Sequence, residues 1–166
     1  MGIDVTVTGA LSKALAASDF MLPPKGSLLL TIANKDKNDA KSLITDLANA
    51  GYTLFATEGT SKLITQLGIS VKKVNKAGEP TPNAVSIVEE GLVSGVVNTI
   101  EEVTEALKDG FAIRRAATER RIPCYTSMDT AKAAIEAVST SSNDVKVATV
   151  NEYVTCLLYT SPSPRD

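Results

Sequence analysis

The sequence contains no histidine and no tryptophan, and it has only two cysteines, Cys124 and Cys156. Histidine is the commonest general base near neutral pH and the commonest nitrogen ligand for metals. Its absence excludes Ser-His-Asp catalysis, Cys-His catalysis and histidine-ligated metal sites. Two cysteines outside a CxxC spacing are too few for a disulfide framework, which favours a reducing compartment.

The sequence also lacks a large excess of charge of one sign and long apolar runs. Seventeen Lys and Arg residues face nineteen Asp and Glu residues, for a net charge of −2, so no basic excess attracts nucleic acid or anionic lipid. No run reaches the roughly 18 apolar residues that span a bilayer. The opening MGIDVTVTGALSKAL lacks the charged and apolar regions of a secretory signal. We therefore expect a cytoplasmic chain with no nucleic-acid and no membrane partner.

The residues that are present fit one globular α/β domain. The chain has 166 residues, 43% of them hydrophobic, and from residue 27 short apolar runs alternate with helical periodicity, as in βαβ units. The run at 27–34 is apolar on both faces, which predicts a central strand, whereas the lysines of 70–74 predict an edge strand. The predicted strands are 27–34, 53–57, 70–74, 92–99 and 122–126, with a sixth candidate at 145–150. The predicted helices are 35–52, 61–67, 83–90, 111–120 (begun near Asp109) and 129–138.

The two ends of the chain are predicted to lie outside that sheet domain. Residues 9–20 form a lone amphipathic helix followed by the linker LPPKG. Such a helix normally packs on another surface, and that surface could be missing from this chain. The segment 156–166, CLLYTSPSPRD, resembles the translation of a transposase sequencing adapter, so we exclude it from the fold. The alternative is an ordinary Ser/Pro-rich tail.

Polar side chains follow the carboxyl ends of four predicted strands. In an open parallel sheet, ligands bind beyond these ends, at the point where the strand order reverses. The residues are Asn34 to Lys37, Thr57 to Thr60, Asn75 and Lys76, and Asn98 and Thr99. We therefore expect these groups to converge at one edge of the sheet.

The turn TEGT has the properties of an anion site. It leads into a predicted helix, whose free N–H groups and positive dipole end attract anions, and Gly59 allows close approach of the backbone. Phosphate oxygens would receive hydrogen bonds from Thr57, Thr60, Lys37, Lys76 and Asn98. The predicted ligand is small and carries a phosphate. Taken alone, however, the TxGT pattern is weak, because Thr60 as a plain helix N-cap explains it as well.

Other conspicuous side chains have structural explanations. Arg114 and Arg115 could hold an acidic partner surface, but surface ion pairs with the many glutamates explain them equally. Cys124 lies in an apolar strand without a neighbouring base, which is typical of a small core residue rather than a nucleophile. We predict no catalytic residue and no metal ligand.

Several spaced motifs, in order, make the chain resemble one family. The stretches KGSLLLTIANKDK, LFATEGTSKLI, VNKAGE, VVNT and DGFAIRRAATERRIPCYTSMDTAKAAI lie within roughly residues 22–138. They closely resemble the C-terminal allosteric domain of carbamoyl-phosphate synthase large subunits, which has a methylglyoxal-synthase-like fold. The resemblance implies a three-layer α/β/α sandwich with a mainly parallel five-stranded sheet.

The resemblance also implies an allosteric site for a nucleoside monophosphate such as UMP or IMP. The family's phosphate-binding positions match Thr31, Lys37, Thr57, Thr60, Lys76 and Asn98, and Gly59 belongs to the same turn. One family threonine falls on Ile100, which leaves the nucleotide preference open. The residues matching Tyr125 and Ser127 approach an ornithine site in some relatives, although Thr126 replaces an acidic residue there.

A longer parent protein follows from the same resemblance. It implies that 1–22 is the end of an ATP-grasp domain with a linker, that 23–155 is the allosteric domain, and that 156–166 is non-native. The parent would make carbamoyl phosphate from glutamine, bicarbonate and ATP, with Mg²⁺ or Mn²⁺, for pyrimidine and arginine synthesis. Its ATP-grasp domains and its glutaminase small subunit would be the partners, and no cofactor is implied for this segment.

Two enzymes share this fold and provide the alternative. Methylglyoxal synthase acts on dihydroxyacetone phosphate with an Asp in a GGDQQ-like stretch. The corresponding residues 79–83, EPTPN, contain neither Asp nor His, so a base for proton abstraction is missing there. The inosine-monophosphate cyclohydrolase domain carries a Lys- and His-bearing loop that this sequence lacks. We therefore expect regulatory binding, with a methylglyoxal synthase-type lyase as the alternative.

Overall fold

A computed structural model describes residues 2–100, 104–140, 149 and 152 of the protein. These residues contain five short strands and six α-helices. The strands are β1 Ser27–Thr31, β2 Thr53–Thr57, β3 Lys72–Val74, β4 Gly95–Asn98 and β5 Cys124–Tyr125. The helices are α1 Val7–Ala17, α2 Lys37–Asn49, α3 Glu58–Gln66, α4 Ser86–Glu89, α5 Thr104–Glu119 and α6 Met128–Thr140. The sixth candidate strand and the 156–166 segment lie outside the described residues.

The sheet is parallel throughout, with the strand order β3-β2-β1-β4-β5. β1 is central and its leucines are fully buried, as the apolar run predicted. β3, with its exposed lysines Lys72 and Lys73, is an edge strand, which is also as predicted. The order reverses on either side of β1, because β2 pairs with one side of it and β4 with the other. The carboxyl ends of β1, β2 and β4 therefore meet at a topological switch point.

Helices cover both faces of the sheet and form two apolar cores. Side chains of β1 alternate between the faces, so Leu28 and Leu30 pack with α2, α3 and α6, while Leu29 packs with α4 and α5. This arrangement confirms the three-layer α/β/α sandwich. No helix within the described residues is long and apolar enough to cross a bilayer.

Two predicted boundaries that involve Thr60 were wrong. β1 was expected to reach residue 34 but ends at Thr31, because the next two N–H groups leave the ladder. Ile32 N–H donates to Thr60 Oγ1 at 3.0 Å, and Ala33 N–H donates to Thr99 Oγ1 at 2.9 Å. α3 begins at Glu58 rather than at residue 61, so Thr60 lies inside its first turn and is not its N-cap.

The N-terminal helix finds its packing partner within this chain. α1 packs on α6, although none of its residues is fully buried. Two tyrosine hydroxyls hold the linker that follows it: Tyr52 donates to Pro23 O at 2.5 Å, and Tyr125 donates to Phe20 O at 2.6 Å. The linker is thereby fixed against the sheet domain.

α5 is the helix whose predicted start differs most from the structure. It was expected to begin near Asp109 and begins at Thr104. Its first turns therefore extend toward the carboxyl end of β4, where the amide of Asn98 donates to Gly110 O at 3.1 Å. This contact fixes how α5 approaches the sheet edge.

Candidate functional site

An open cleft of about 930 Å³ lies at the carboxyl ends of β1, β2 and β4. All seven residues predicted for the effector site line it: Thr31, Lys37, Thr57, Gly59, Thr60, Lys76 and Asn98. We call this concavity the effector cleft. Its volume lies within the usual range for small-molecule sites, about 300 to 1,000 Å³. That these residues bind a phosphate remains a prediction.

The amino end of α3 forms one wall of the effector cleft. Thr57 occupies the N-cap position in an extended conformation, but its side chain makes no capping hydrogen bond. The first N–H groups of a helix have no partner within the helix. The Thr57 hydroxyl, which would ordinarily accept from one of these N–H groups, is therefore available to a ligand.

Lys37 places its ammonium group against this same helix end. Its Nζ lies 3.5 Å from the point that a Cβ on Gly59 would occupy. A cation is disfavoured at a helix amino end, where the dipole is positive. An anion bound between them would satisfy both groups, since the ammonium and the free N–H groups are all donors.

Thr60, Thr31 and Asn98 are fixed by hydrogen bonds inside the protein. Thr60 is 1% exposed and accepts from Ile32 N–H, which leaves its own hydroxyl proton free to donate. Thr31 donates to Asn98 Oδ1 at 2.8 Å, and Asn98 Nδ2 donates in turn to Gly110 O. Asn98 therefore links β1, β4 and α5, and it has one N–H left for a ligand.

The charges of the effector cleft are unevenly paired. Glu58 lies within 3.1 Å of Lys62 and 3.7 Å of Lys73, and Lys62 followed by Lys73 lowers the pKa of its carboxyl. By contrast, no carboxylate of the described residues forms an ion pair with Lys37 or Lys76. The unpaired ammonium groups favour an anionic ligand.

Lys76 stands on a loop that is held by its own hydrogen bonds. The backbone N–H of Lys76 donates to Glu79 Oε2 at 2.9 Å, and the amide of Asn83 donates to Glu79 O at 2.8 Å. Asn83 Oδ1 also accepts from the backbone N–H groups of Val85 and Ser86. Asn83 thus has a structural role, and the loop presents the Lys76 side chain from a defined position.

Sequence reasoning missed a wall of the effector cleft that α5 contributes. Lys108, Asp109, Gly110 and Ile113 line it together with Ile100. The strand-end rule considered only residues directly after each strand, so it left out the positions of α5. Helical periodicity traced back to Thr104 would have been the signal.

Two carboxylates, Glu79 and Asp109, line the effector cleft without an ion-pair partner among the described residues, and they bear on the prediction that the site has no catalytic residue. Glu79 lies at the start of the stretch 79–83 that corresponds to the catalytic stretch of methylglyoxal synthase, whereas Asp109 lies outside that stretch. Among the described residues there is no group of three or more Cys, Asp or Glu side chains that could hold a metal ion. Burial raises the pKa of the Cys124 thiol to about 11, partly opposed by Arg114, so the thiol is neutral and a poor nucleophile.

The two residues suggested for a second effector lie outside the effector cleft. Tyr125 is 1% exposed, its hydroxyl is bonded to Phe20 O, and its ring meets the Phe20 ring edge-on at 5.3 Å. Ser127 Oγ lies 2.8 Å from Thr130 Oγ1 near the start of α6. Both side chains have partners within the protein, and their binding of an effector stays a prediction.

A parallel five-stranded sandwich with a donor-rich cleft at its switch point defines the class of this protein. The model of the MGS-like domain family matches residues 39–126, and the chain belongs to that family. Over 154 residues, 92% of this chain, it is 38% identical to the carbamoyl phosphate synthase large chain of Thermoanaerobacter sp. (strain X514). The large chain of Thermoanaerobacter pseudethanolicus (strain ATCC 33223 / 39E) is similar to the same extent. The matched segment covers 14% of each of these relatives.

Proposed function

We propose that this chain is the regulatory domain of a carbamoyl phosphate synthase large subunit, and that the effector cleft binds a nucleoside monophosphate through its phosphate. The observation that carries the proposal is the position of Lys37 Nζ beside Gly59 at the amino end of α3, without a carboxylate partner among the described residues. A phosphate dianion at that point would accept hydrogen bonds from the helix end and from the ammonium.

The remaining cleft residues support this assignment. Thr60 and Lys76 offer a hydroxyl and a second ammonium to the phosphate, while Ile100 and Ile113 give the cleft an apolar wall for a base. UMP and IMP are the candidate effectors. The proposed site has the character of a small-molecule pocket, with apolar walls and a few convergent polar groups.

In the parent protein, the effector would act on synthesis at a distance. The parent would use ATP with Mg²⁺ or Mn²⁺ in its ATP-grasp domains, receive ammonia from a glutaminase subunit, and serve pyrimidine and arginine synthesis in the cytoplasm. A ligand shifts such activity only through different affinities for two arrangements of the enzyme. This coupling is typically worth about 1 to 3 kcal/mol.

Titration calorimetry of the chain with UMP, IMP and inorganic phosphate tests the binding. We expect saturable heat with at least one nucleotide, and a loss of affinity of about tenfold or more in Lys76→Ala. Lys41→Ala, which removes an exposed charge of α2 outside the cleft, is the matched control and should leave affinity unchanged. Absence of heat with every ligand, or equal loss in both variants, would contradict the proposal.

A second assay separates binding from catalysis. Dihydroxyacetone phosphate is mixed with the chain and methylglyoxal formation is followed, with Asp109→Asn as the matched variant. We expect no turnover. Turnover that disappears in Asp109→Asn would show a lyase in place of a regulatory domain, because Asp109 is one of the two carboxylates that line the cleft without an ion-pair partner among the described residues.

A further inference from the structure

The two residues that follow β1 are held from both sides by threonine side chains. Ile32 N–H donates to Thr60 Oγ1 at 3.0 Å, and Ala33 N–H donates to Thr99 Oγ1 at 2.9 Å. Thr60 lies in the first turn of α3, after β2, whereas Thr99 directly follows β4. Since β2 and β4 flank β1, the segment 32–33, which lines the effector cleft, is bonded to the chain after each neighbouring strand.

Thr99 is itself fixed against the end of β1. Its backbone N–H donates to Thr31 O at 3.0 Å, which extends the pairing of β1 with β4 by one hydrogen bond. The residue is 7% exposed, and its hydroxyl oxygen accepts from Ala33 N–H. Thr99 is thus bonded to the carbonyl of Thr31 and to the amide of Ala33, so its hydroxyl has a defined position relative to the strand end.

Ala33 opens the turn that leads into α2. Its carbonyl accepts from Asp36 N–H at 3.0 Å, which closes a single 3₁₀ turn at Asn34–Asp36, and α2 begins directly after it with Lys37. Asp36, at the N-cap position of α2, makes no side-chain capping hydrogen bond. Buried apolar side chains anchor the body of α2 further along. The position of its first residue, Lys37, therefore depends on the turn that starts at Ala33.

Thr99 received no role in phosphate binding from the strand-end rule or from the family resemblance. Its simplest role is structural, because a buried backbone N–H such as that of Ala33 needs an acceptor. A structural role alone would affect the stability of the protein. A role in the effector cleft would also affect the affinity of the folded protein for phosphate.

We propose that Thr99 is a positioning residue for the phosphate of the effector. By holding Ala33, it holds the turn that carries Lys37, whose Nζ lies 3.5 Å from the point that a Cβ on Gly59 would occupy. Charge-assisted hydrogen bonds are short and depend on geometry, so a displaced turn would weaken the bond between the ammonium and a phosphate at the helix end. Thr99 needs no contact with the ligand for this role. The inference rests on the proposed function, because it concerns the same site.

Inorganic phosphate is the probe, and the NMR signal of the Gly59 amide reports its binding. Thr99→Val keeps the shape of the side chain and removes the hydroxyl oxygen. We expect it to weaken phosphate binding by about two- to tenfold, the effect of one lost hydrogen bond. Thr99→Ser, which keeps the oxygen, should bind like the original chain. Equal loss in both variants would contradict a role of the hydroxyl.

Tyr52→Phe is the matched control for a purely structural effect. Tyr52 is also 7% exposed, its hydroxyl donates to Pro23 O, and it lies directly before β2, at the opposite end of that strand from the effector cleft. Urea unfolding should show that Tyr52→Phe and Thr99→Val are both destabilised, while Tyr52→Phe keeps full phosphate affinity. If Tyr52→Phe loses as much affinity as Thr99→Val, the loss follows stability and the proposal is overturned.

A double-mutant cycle tests whether Thr99 acts through Lys37. In the Lys37→Ala background, Thr99→Val should cause almost no further loss of phosphate affinity, because the ammonium that it positions is already absent. Coupled residues depart from additivity in such a cycle. Simple additivity of the two losses would therefore overturn the proposed route.

The original chain provides a test that does not depend on whether Thr99→Val folds. During a phosphate titration, the amide signal of Ala33 should shift with the same half-saturation as that of Gly59, because both amides belong to the connected site. An Ala33 signal that stays in place while the Gly59 signal saturates would overturn this inference and leave the proposed function intact. If neither signal moves with inorganic phosphate, UMP or IMP, both are contradicted.

Discussion

Thr31 and Asn98 are register partners at the ends of neighbouring parallel strands, and a hydrogen bond of 2.8 Å joins their side chains. The amide of Asn98 continues from there to Gly110 on α5. One buried side chain, 3% exposed, therefore connects the central strand, its neighbour and the helix that forms a wall of the effector cleft. We therefore expect this connection to hold the α5 wall of the cleft in place.

Asn98→Ala should lower both stability and effector affinity. The change leaves the Thr31 hydroxyl and the Gly110 carbonyl without their partner, and a buried polar group without a partner costs about 1 to 3 kcal/mol. Urea unfolding of the free chain measures the first effect, and nucleotide titration the second. Thr31→Ser, which keeps the hydroxyl, is the control and should stay close to the original chain. If the Asn98→Ala chain is destabilised but binds the nucleotide with full affinity, the connection does not shape the cleft.

Lys37→Ala should raise the stability of the free chain while it weakens phosphate binding. Lys37 Nζ beside Gly59 opposes the positive end of the α3 dipole, and removal of such a charge is worth about 0.3 to 1 kcal/mol. Lys41→Ala, on the same helix and exposed, should change neither quantity. Unfolding curves with and without inorganic phosphate provide the measurement. A destabilised Lys37→Ala chain would show that the ammonium is not in electrostatic conflict with the helix end.

The sheet could be predicted from the sequence because its signals are local. The buried leucines of β1 and the lysines of β3 placed the centre and one edge correctly. The strand ends led to six of the seven predicted site residues that line the cleft, and the family resemblance added Thr31. What could not be predicted depends on contacts between distant residues. β1 ends early because Ile32 and Ala33 donate to threonines that lie 28 and 66 positions further along the chain.

The role of Thr60 illustrates the same limit within the site. The pattern TxGT suggested that the Thr60 hydroxyl either binds a phosphate or caps its own helix, and neither interpretation gave it a partner elsewhere in the protein. In the structure that oxygen accepts from the N–H of Ile32, the residue directly after β1. Thr60→Val is therefore not a neutral way to test binding, since it leaves a buried N–H unsatisfied. Thr60→Ser, which keeps the oxygen, is the matched variant to be measured beside it.

Gly110→Ala should be destabilising, and Ile100→Ala should suppress that effect. A Cβ on Gly110 would collide with the Cδ1 and Cγ1 atoms of Ile100, so one of the two side chains has to move. Overpacking of this kind typically costs about 1 to 3 kcal/mol. In the Ile100→Ala background the space is free, and the cost of Gly110→Ala should nearly vanish. Urea unfolding of the four chains forms a double-mutant cycle, in which simple additivity would contradict the contact.

Alkaline conditions should unfold the protein, and Tyr125→Phe should reduce that sensitivity. Burial, followed by the charge of Tyr52, raises the pKa of Tyr125, and burial alone raises that of Tyr52. Each phenol thus keeps its proton in the folded state at a pH where the unfolded chain has lost it. The stabilisation is complete below the unfolded pKa of about 10 and falls as pH rises beyond it, by at most about 1.4 kcal/mol per pH unit for each proton.

Tyr125→Phe removes one such group, together with the hydrogen bond to Phe20 O. At pH 7 the variant should be less stable by about 1 kcal/mol, because only the hydrogen bond is missing there. Between pH 10 and 12 the free energies of unfolding of the two chains should converge. Only the original chain loses stability there, because its folded state keeps the Tyr125 proton that its unfolded state has lost. Urea unfolding at pH 7, 9, 10 and 11 measures the difference. Lysine titration is common to both chains and cancels, so parallel curves would show that the pKa of Tyr125 is not raised in the folded protein.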